Sequence, residues 1–271
     1  MRLSVRHVTR YRFDPPLAHG LQRLRLSPKE THGQRVREWE MIVEGGKVET
    51  AYEDHNCNSV SLVSVFAGTA ELTITCTGVV DTADRAGIVG QHSGRVPLWV
   101  FKTATPLTKP GARVKALAAA LNTGEGDALG LLHALSSSVL EAVAYRPGTT
   151  DVGTAAEDAL SAGQGVCQDH AHIFIAAARL LGFPARYVSG YLLMNDRVEQ
   201  DAGHGWAEAH VEKLGWVGFD VSNGISPDAR YIRLASGRDY AEAAPVTGIT
   251  FGQTRSDLCV SLAVEQQAVQ Q

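Results

Sequence analysis

Three side chains that could together perform nucleophilic chemistry lie in the second half of the chain. Cys167 follows a glycine-containing loop, 163–166, and begins a stretch whose apolar residues recur at helical spacing as far as Leu181. A thiol at the start of a helix lies near the positive end of the helix dipole and near free backbone N–H groups, and both favour the thiolate. His204 and Asp220 follow on two neighbouring predicted strands. A histidine can exchange a proton with a thiol near neutral pH, and a carboxylate can orient that histidine.

The assignment has an alternative and a geometric weakness. Free cysteines are usually buried and inert, so Cys167 alone would indicate little. A hairpin centred on Lys213 and Leu214 places Asp220 opposite Ala207 and not opposite His204. A bulge or splay is therefore expected between the strands, and the glycines in both of them would allow one.

Other histidines raise the alternative of a metal site. Cys167, His170, His172, His204 and His210 are all of ligand type, but no H-E-x-x-H or C-x-x-C spacing occurs. His170 and His172 are two residues apart on a helix and face away from each other, so we expect surface or supporting positions for them. His210 lies roughly 20 Å beyond His204 along the strand, and we expect it at the surface or in packing. We predict no metal and no cofactor.

Composition limits the remaining possibilities. The 271 residues fit one large domain or two small ones, and the net charge of −4 gives no reason to expect nucleic acid or a membrane as partner. The nine Arg and Lys residues among the first 37 are expected on a solvated sheet face. Four scattered cysteines favour free thiols in a reducing compartment. Without an apolar signal core we expect a cytoplasmic protein, with a removed signal peptide as the alternative.

The elements that must position these side chains divide the chain into four parts. Alternating apolar and polar residues predict an antiparallel β-sandwich over residues 1–82, with the polar cluster 54–58 forming a turn stabilised by Asx side chains. A connector, 83–110, carries an apolar stretch expected to cover the junction between domains. The region 111–240 is predicted to be α+β, and 241–271 to contain final strands and a tail.

Within the α+β region the predicted elements follow from periodicity and from Gly and Pro punctuation. Helices are expected over 111–121, ended by 122–124, and over 127–144, 155–162 and 167–181. Strands are expected over 185–193, 205–212 and 215–221, with a flexible loop at 195–203, and final strands over 249–251 and 258–264.

Four ordered blocks resemble the bacterial transglutaminase-like cysteine peptidase family. They are Gly-Val-Cys-Gln-Asp at 165–169, Pro-Ala-Arg-Tyr-Val-Ser-Gly-Tyr at 184–191, His-Gly-Trp-Ala-Glu at 204–208 and Gly-Trp-Val-Gly-Phe-Asp at 215–220. Tyr-Arg-Pro-Gly-Thr at 145–149 also fits, and the N-terminal region resembles the β-rich domain of the same proteins. Two departures are His-Gly-Trp for the commoner His-Ala-Trp and Asp-Val-Ser-Asn for Asp-Pro-Thr-Asn.

The resemblance implies a papain-like core with Cys167 as nucleophile, His204 as base and Asp220 as the residue that orients the base. The backbone N–H of Cys167 is one expected oxyanion donor. The candidates for the second donor are Gln164, Gln168 and Tyr145. Trp206 and Trp216 are expected to line the cleft, and Asp169 to stabilise the helix start.

This arrangement implies attack on an amide of a peptide or protein substrate and an acyl-thioester on Cys167. Release by water would make the protein a peptidase or amidase, which we prefer because no feature that binds an amine acceptor is recognisable. Release by an amine would make it a transglutaminase. A non-catalytic binding protein on the same fold is the third possibility, and the sequence does not predict the oligomeric state.

Overall fold

A β-sandwich forms the first half of the fold. The computed structural model describes residues 1–121, 127–251 and 255–267. Six strands come from the N-terminal region: β1 (Arg2–Leu17), β2 (His19–Leu24), β3 (Gln34–Glu44), β4 (Gly46–Glu53), β5 (Ser59–Val65) and β6 (Thr69–Thr82). They divide between two antiparallel sheets. Alternate residues such as Leu3, Val5 and Ile74 are buried between the sheets, as the sequence pattern predicts.

The α+β core follows the sandwich. Its elements are β7 (Ile88–Gly90), a 3₁₀ turn (Leu98–Lys102), α1 (Ala112–Leu121), α2 (Ala128–Ala142), β8 (Ala144–Tyr145), α3 (Ala156–Ala162), β9 (Gln164–Gly165), α4 (Cys167–Leu180), β10 (Ala185–Leu192), β11 (Glu199–Gln200), β12 (His204–Val211), β13 (Gly215–Phe219), β14 (Tyr231–Gly237) and α5 (Tyr240–Ala243). The predicted helices are present. The predicted stop of α1 at 122–124 lies outside the described residues.

The C-terminal strands belong to the sandwich. β15 (Val246–Phe251) pairs with β2, and β16 (Arg255–Gln266) pairs with β1 from Leu3 opposite Gln266 to Asp14 opposite Arg255. The two sheets have the strand orders β11-β16-β1-β6-β3 and β15-β2-β5-β4. The division that set 241–271 apart is therefore corrected: its strands complete the N-terminal domain. The end of the predicted tail, 268–271, lies outside the described residues.

The sheet of the core has the order β14-β10-β12-β13-β7. Two of its strands were not predicted. β7 comes from the connector and pairs with β13, and β14 pairs with β10. The expected loop 195–203 also contains the short strand β11, which pairs with β16. The connector thus supplies structure to the core, and its Phe101 is buried against Trp216 with ring centroids 5.2 Å apart.

Helix α4 lies at the centre of the core. Twelve of its residues are buried, and its apolar side chains pack on the face of the sheet that carries Ala207, Ala209 and Phe219. At its C-terminal end, Arg179 donates hydrogen bonds to the backbone carbonyls of Phe101 and Ala185. These bonds hold the helix against both the connector and the sheet.

The polar cluster of the N-terminal region forms the predicted turn. The Asp54 carboxylate accepts hydrogen bonds from the backbone N–H groups of Asn56 and Asn58, each at 2.9 Å. The prediction of a solvated basic face is wrong for two of the nine cations. Arg25 is buried against Asp54, and Lys29 is partly buried with its ammonium bonded to backbone carbonyls of the turn.

Two further observations concern the cysteines and the lengths of the helices. The four cysteines are free, with Cys76 buried and Cys259 exposed. Among the described residues, no helix combines the length and the apolar character that crossing a membrane would need.

Candidate active site

Cys167 is the first residue of α4 and lines a cavity of about 430 Å³. The helix start is fixed by Asp169, whose carboxylate accepts hydrogen bonds from the Val166 N–H at 2.8 Å and from the Thr150 hydroxyl at 2.7 Å. A Cβ at position 165 would lie 2.7 Å from that carboxylate, which explains the glycine there. Asp169 therefore has the structural position predicted for it. The first backbone N–H groups of a helix have no partner within it, so they are free to bind an anion beside Cys167.

His204 and Asp220 meet because the hairpin has a different register from the expected one. Ala207 lies opposite Phe219, so Asp220 follows at the position diagonal to His204 and on the same face of the sheet. His204 Nε2 lies 2.6 Å from Asp220 Oδ2. The predicted bulge is wrong, since this ladder is regular. A shift of one residue in register exchanges the faces of a strand, and here it removes the conflict.

Asp220 is buried and fully hydrogen-bonded. Its Oδ2 also accepts from the Asn223 amide and from the Tyr231 hydroxyl, both at 2.7 Å. Burial acts to raise the pKa of Asp220, but the bonds from His204, Asn223 and Tyr231 and the charge of His204 together lower it below the ordinary value. The turn after Asp220 therefore leaves the carboxylate in contact with His204.

His204 is held as a cation. Burial acts to lower its pKa, but hydrogen bonds to Asp220 and Cys167 and the charges of both raise the pKa to about 10. Because Nε2 is occupied by Asp220, Nδ1 is the nitrogen available to the sulfur. Trp206 stacks on the imidazole with ring centroids 6.2 Å apart and fixes its plane. The arrangement places a charged imidazole in the cavity that Cys167 lines.

His170 and His172 are buried, so the expectation of surface positions is wrong for both. His170 donates from Nε2 to the Val143 carbonyl at 3.0 Å and accepts at Nδ1 from the Ser222 hydroxyl at 2.8 Å. It thereby ties α4 to the turn that follows Asp220. His172 accepts at Nε2 from the Tyr240 N–H, and burial followed by the charge of Arg179 lowers its pKa to about 3. Both histidines support the site as neutral groups.

The candidates for the second oxyanion donor separate into two groups. Gln168 lines the cavity of Cys167, and its amide donates to the Val152 carbonyl at 3.2 Å. Gln164 and Tyr145 lie on the paired strands β9 and β8 and are not among the described residues that line this cavity. Burial raises the pKa of Tyr145, and its ring lies 6.2 Å from that of His170 between centroids.

The two tryptophans do not line this cavity, which corrects the expectation for both. Trp206 is buried behind His204, where Tyr231 packs edge-on against it with ring centroids 5.4 Å apart. Trp216 is buried at the far end of the hairpin and carries the Arg186 guanidinium 3.8 Å above its ring. His210 packs edge-on against Trp216, which agrees with its predicted packing role.

Tyr187 and Tyr240 are among the cavity residues that sequence reasoning missed. The Tyr187 hydroxyl lies so close to position 205 that a side chain would not fit there. A Cβ on Gly205 would be 1.9 Å from it. The glycine of His-Gly-Trp therefore leaves the room that the Tyr187 hydroxyl occupies. Asn223 was also missed, although its spacing in Asp-x-x-Asn is typical of a turn in which an amide reaches back to a carboxylate.

The sandwich supplies the opposite wall of the cavity. His7, Tyr11 and Thr9 of β1 and Leu258 and Val260 of β16 face the same space as Cys167. A substrate would therefore bind between the two parts of the chain, against a mainly apolar surface. Among the described residues, no group of three Cys, His, Asp or Glu side chains is arranged to hold a metal ion.

Comparisons with known proteins identify relatives of both parts of the chain. Residues 115–221 match the model of the transglutaminase-like superfamily, and residues 3–81 match the bacterial transglutaminase-like N-terminal region. An uncharacterised protein of Mycobacterium leprae is 29% identical over 290 residues, which cover 98% of this chain and 99% of that protein. An uncharacterised protein of Mycobacterium tuberculosis is 29% identical over 284 residues, with coverage of 95% and 90%.

One solved structure shares the fold over the whole chain. It is the crystal structure of a protein from Cytophaga hutchinsonii described as a candidate cysteine protease. The TM-score is 0.76 at 21% identity, and the match covers 100% of this chain and 92% of that one. This likeness confirms the predicted α+β architecture.

Proposed function

The chain belongs to the transglutaminase-like superfamily through residues 115–221, with the bacterial N-terminal region before them, and on that basis we propose that it is a cysteine-dependent amide-bond enzyme. Cys167 is the nucleophile, His204 the acid and base, and Asp220 the group that orients His204. Water is the proposed acceptor, so the enzyme is a peptidase or amidase.

One observation carries the proposal. His204 bonds Asp220 at 2.6 Å through one ring nitrogen and lines the same cavity as Cys167. The sulfur also faces a cavity large enough for part of a peptide. A cysteine in a purely structural position needs neither the buried ion pair nor access to a cavity.

In acylation the Cys167 sulfur attacks the carbonyl carbon of the substrate amide. The oxyanion that forms lies beside the N-terminus of α4, where the Cys167 N–H is one donor. The Gln168 amide and the Tyr187 hydroxyl line the same cavity and can each supply the second. When the carbon–nitrogen bond breaks, the imidazolium of His204 gives its proton to the departing amine, and a thioester remains on Cys167.

In deacylation the roles reverse. Neutral His204 takes a proton from a water molecule, and the hydroxide attacks the thioester carbonyl. The carboxylic acid departs, the sulfur leaves as thiolate, and the imidazolium is restored. The Asp220 carboxylate stabilises the imidazolium in both steps without itself gaining the proton.

The nucleophile is tested by alkylation with iodoacetamide at pH 6.0, measured residue by residue with mass spectrometry. Cys259 is exposed and provides an internal control on the same chain. We expect Cys167 to react at least about tenfold faster than Cys259, since an ordinary thiol is almost fully protonated at that pH. His204→Ala should remove the difference. Equal rates in the native protein would disprove the activated thiolate.

The acceptor is tested by incubating the protein with a pool of cell peptides, with and without a primary amine. Two new fragments from one peptide indicate peptide-bond hydrolysis, and ammonia release indicates hydrolysis of a glutamine side chain. A peptide–amine adduct would instead indicate a transglutaminase. Cys167→Ser serves as the inactive control. No product in any arm, together with retained biological function of Cys167→Ser, would favour the non-catalytic binding protein.

A further inference from the structure

A second cavity lies on the side of the core sheet away from α4. Its volume is about 650 Å³, within the range of small-molecule sites. Its outer wall is formed by residues 29–32, Glu53, Asn56 and Cys57 of the sandwich and by residues 89–91, Ser93 and Gly94 of the connector. Three side chains of the core, Arg186, Trp216 and Arg233, form its inner wall.

The inner wall carries more positive than negative charge. Arg186 and Arg233 share the single carboxylate of Glu208, through contacts of 2.6 Å and 2.9 Å, and Glu208 is fully buried behind them. Lys29 lies at the edge of the cavity, and its amine donates hydrogen bonds to the backbone carbonyls of Asn56 and Cys57. Burial, and then the charges of Arg233 and Arg186, lower the pKa of Lys29 to about 7, so the two arginines are the main source of positive charge in the cavity at neutral pH.

One edge of the Arg186 guanidinium is free to bind a ligand. Only Nε bonds Glu208, and among the described residues no acceptor is bonded to Nη1 or Nη2. The side chain is 11% exposed, and the Trp216 ring 3.8 Å below it fixes the plane of the group. A rigid guanidinium with two free, coplanar N–H groups suits the two oxygens of a phosphate or carboxylate.

The negative groups near this cavity lie at its rim. Glu30 and Glu53 are exposed, and the Glu53 carboxylate pairs with Arg95 at 2.9 Å. Arg95 offsets the charge of Glu53, and the Glu30 side chain lies in solvent. The rim therefore does not neutralise the inner wall.

From this arrangement we propose that the second cavity binds a small molecule through a phosphate or carboxylate group, held by Arg186, with Arg233 supplying further positive charge. The site is separate from the cavity of Cys167. Its ligand would contact two arginines that hold Glu208, which lies on the same strand as His204.

The test is isothermal titration calorimetry with inorganic phosphate and, in a separate arm, with succinate, at constant ionic strength set by sodium chloride. Changing either arginine risks unfolding because Glu208 would lose a partner. The variant is therefore Ser93→Glu, at an exposed position that lines the cavity. Ser137→Glu, exposed on α2 and outside the cavity, introduces the same charge and is the matched control.

We expect saturable binding in at least one arm. Ser93→Glu should weaken it about tenfold or more, because it adds a negative charge within the cavity, and Ser137→Glu should leave it unchanged. Binding of phosphate alone would identify a phosphate ligand, and binding of succinate alone a carboxylate ligand. Absence of saturable binding below about 10 mM in both arms would overturn the proposal, as would equal affinity of the native protein and Ser93→Glu.

Discussion

The pairing of Gly205 with Tyr187 predicts the effect of a single methyl group at the active site. In Gly205→Ala the new Cβ would lie 1.9 Å from the Tyr187 hydroxyl oxygen and 2.7 Å from the ring carbon that bears it. Favourable contacts of this kind need about 3.5 Å. Either the tyrosine or the strand that carries His204 must therefore move by more than 1 Å, roughly the difference between these distances.

The tyrosine has little room to move. Its side chain is buried, and the rings of His172 and Tyr240 lie 5.3 Å and 5.8 Å from its own. Overpacking of this kind costs about 1–3 kcal/mol. For a chain of this size, each kcal/mol lowers the melting temperature by about 2–4 °C. A displacement of His204 by about 1 Å would also slow its reaction by up to about 100-fold.

Thermal unfolding and the alkylation rate of Cys167 measure the two effects. Tyr187→Phe combined with Gly205→Ala removes the hydroxyl contact but leaves the ring contact, so it should recover part of both losses. Gly130→Ala is the matched control, since its Cβ would meet nothing closer than 3.5 Å and alanine favours a helix. A melting temperature and alkylation rate of Gly205→Ala equal to those of the native protein would refute the reasoning.

Three further predictions concern the ion pair, its support and a distant cap. The pKa of His204 is raised to about 10, so its contribution to stability is complete below about pH 6.5 and is lost as the pH rises through 10. The loss is up to about 1.4 kcal/mol per pH unit. Urea unfolding between pH 7 and 10 should therefore show that the free energy of unfolding falls more steeply with pH in the native protein than in His204→Ala. Asn223→Ala removes one hydrogen bond to Asp220 and should slow alkylation of Cys167 at pH 6 by about tenfold, and an unchanged rate would exclude a positioning role. Glu157 accepts three backbone hydrogen bonds at the start of α1, so Glu157→Ala should lower the free energy of unfolding by about 1–2 kcal/mol, with the alkylation rate of Cys167 unchanged.

The sequence predicts those parts of the fold that depend on local pattern. The helices follow from apolar periodicity with Gly and Pro at their ends, and Cys167 at the start of α4 is an example. The strands of the sandwich follow from alternation. Two strands of the core were not predicted. β7 has only three residues, and β14 is buried on both faces and includes the charged Arg233. The burial of that charge depends on Glu208, a partner that lies 25 residues away.

The site was less predictable because it depends on register. The turn of the hairpin holds Lys213 at φ 72° and Gly215 at φ 83°, and the ladder begins with Val211 opposite Gly215. A hairpin with Asp220 opposite Ala207, as predicted, would place Asp220 on the face of the sheet opposite to that of His204. Tyr187 could not be assigned at all, because its position in the cavity follows from the packing of β10 against β12.

The placement of β16 beside β1 has a consequence for synthesis. β1 is synthesised before its partner β16, which begins at Arg255, about 250 residues later. At about 5–20 residues per second, one edge of β1 waits roughly 12–50 s for that partner. An uncovered edge can recruit strands from other chains, and charged residues are a common protection against this. Arg6, Arg10 and Arg12 give β1 charged residues of this kind.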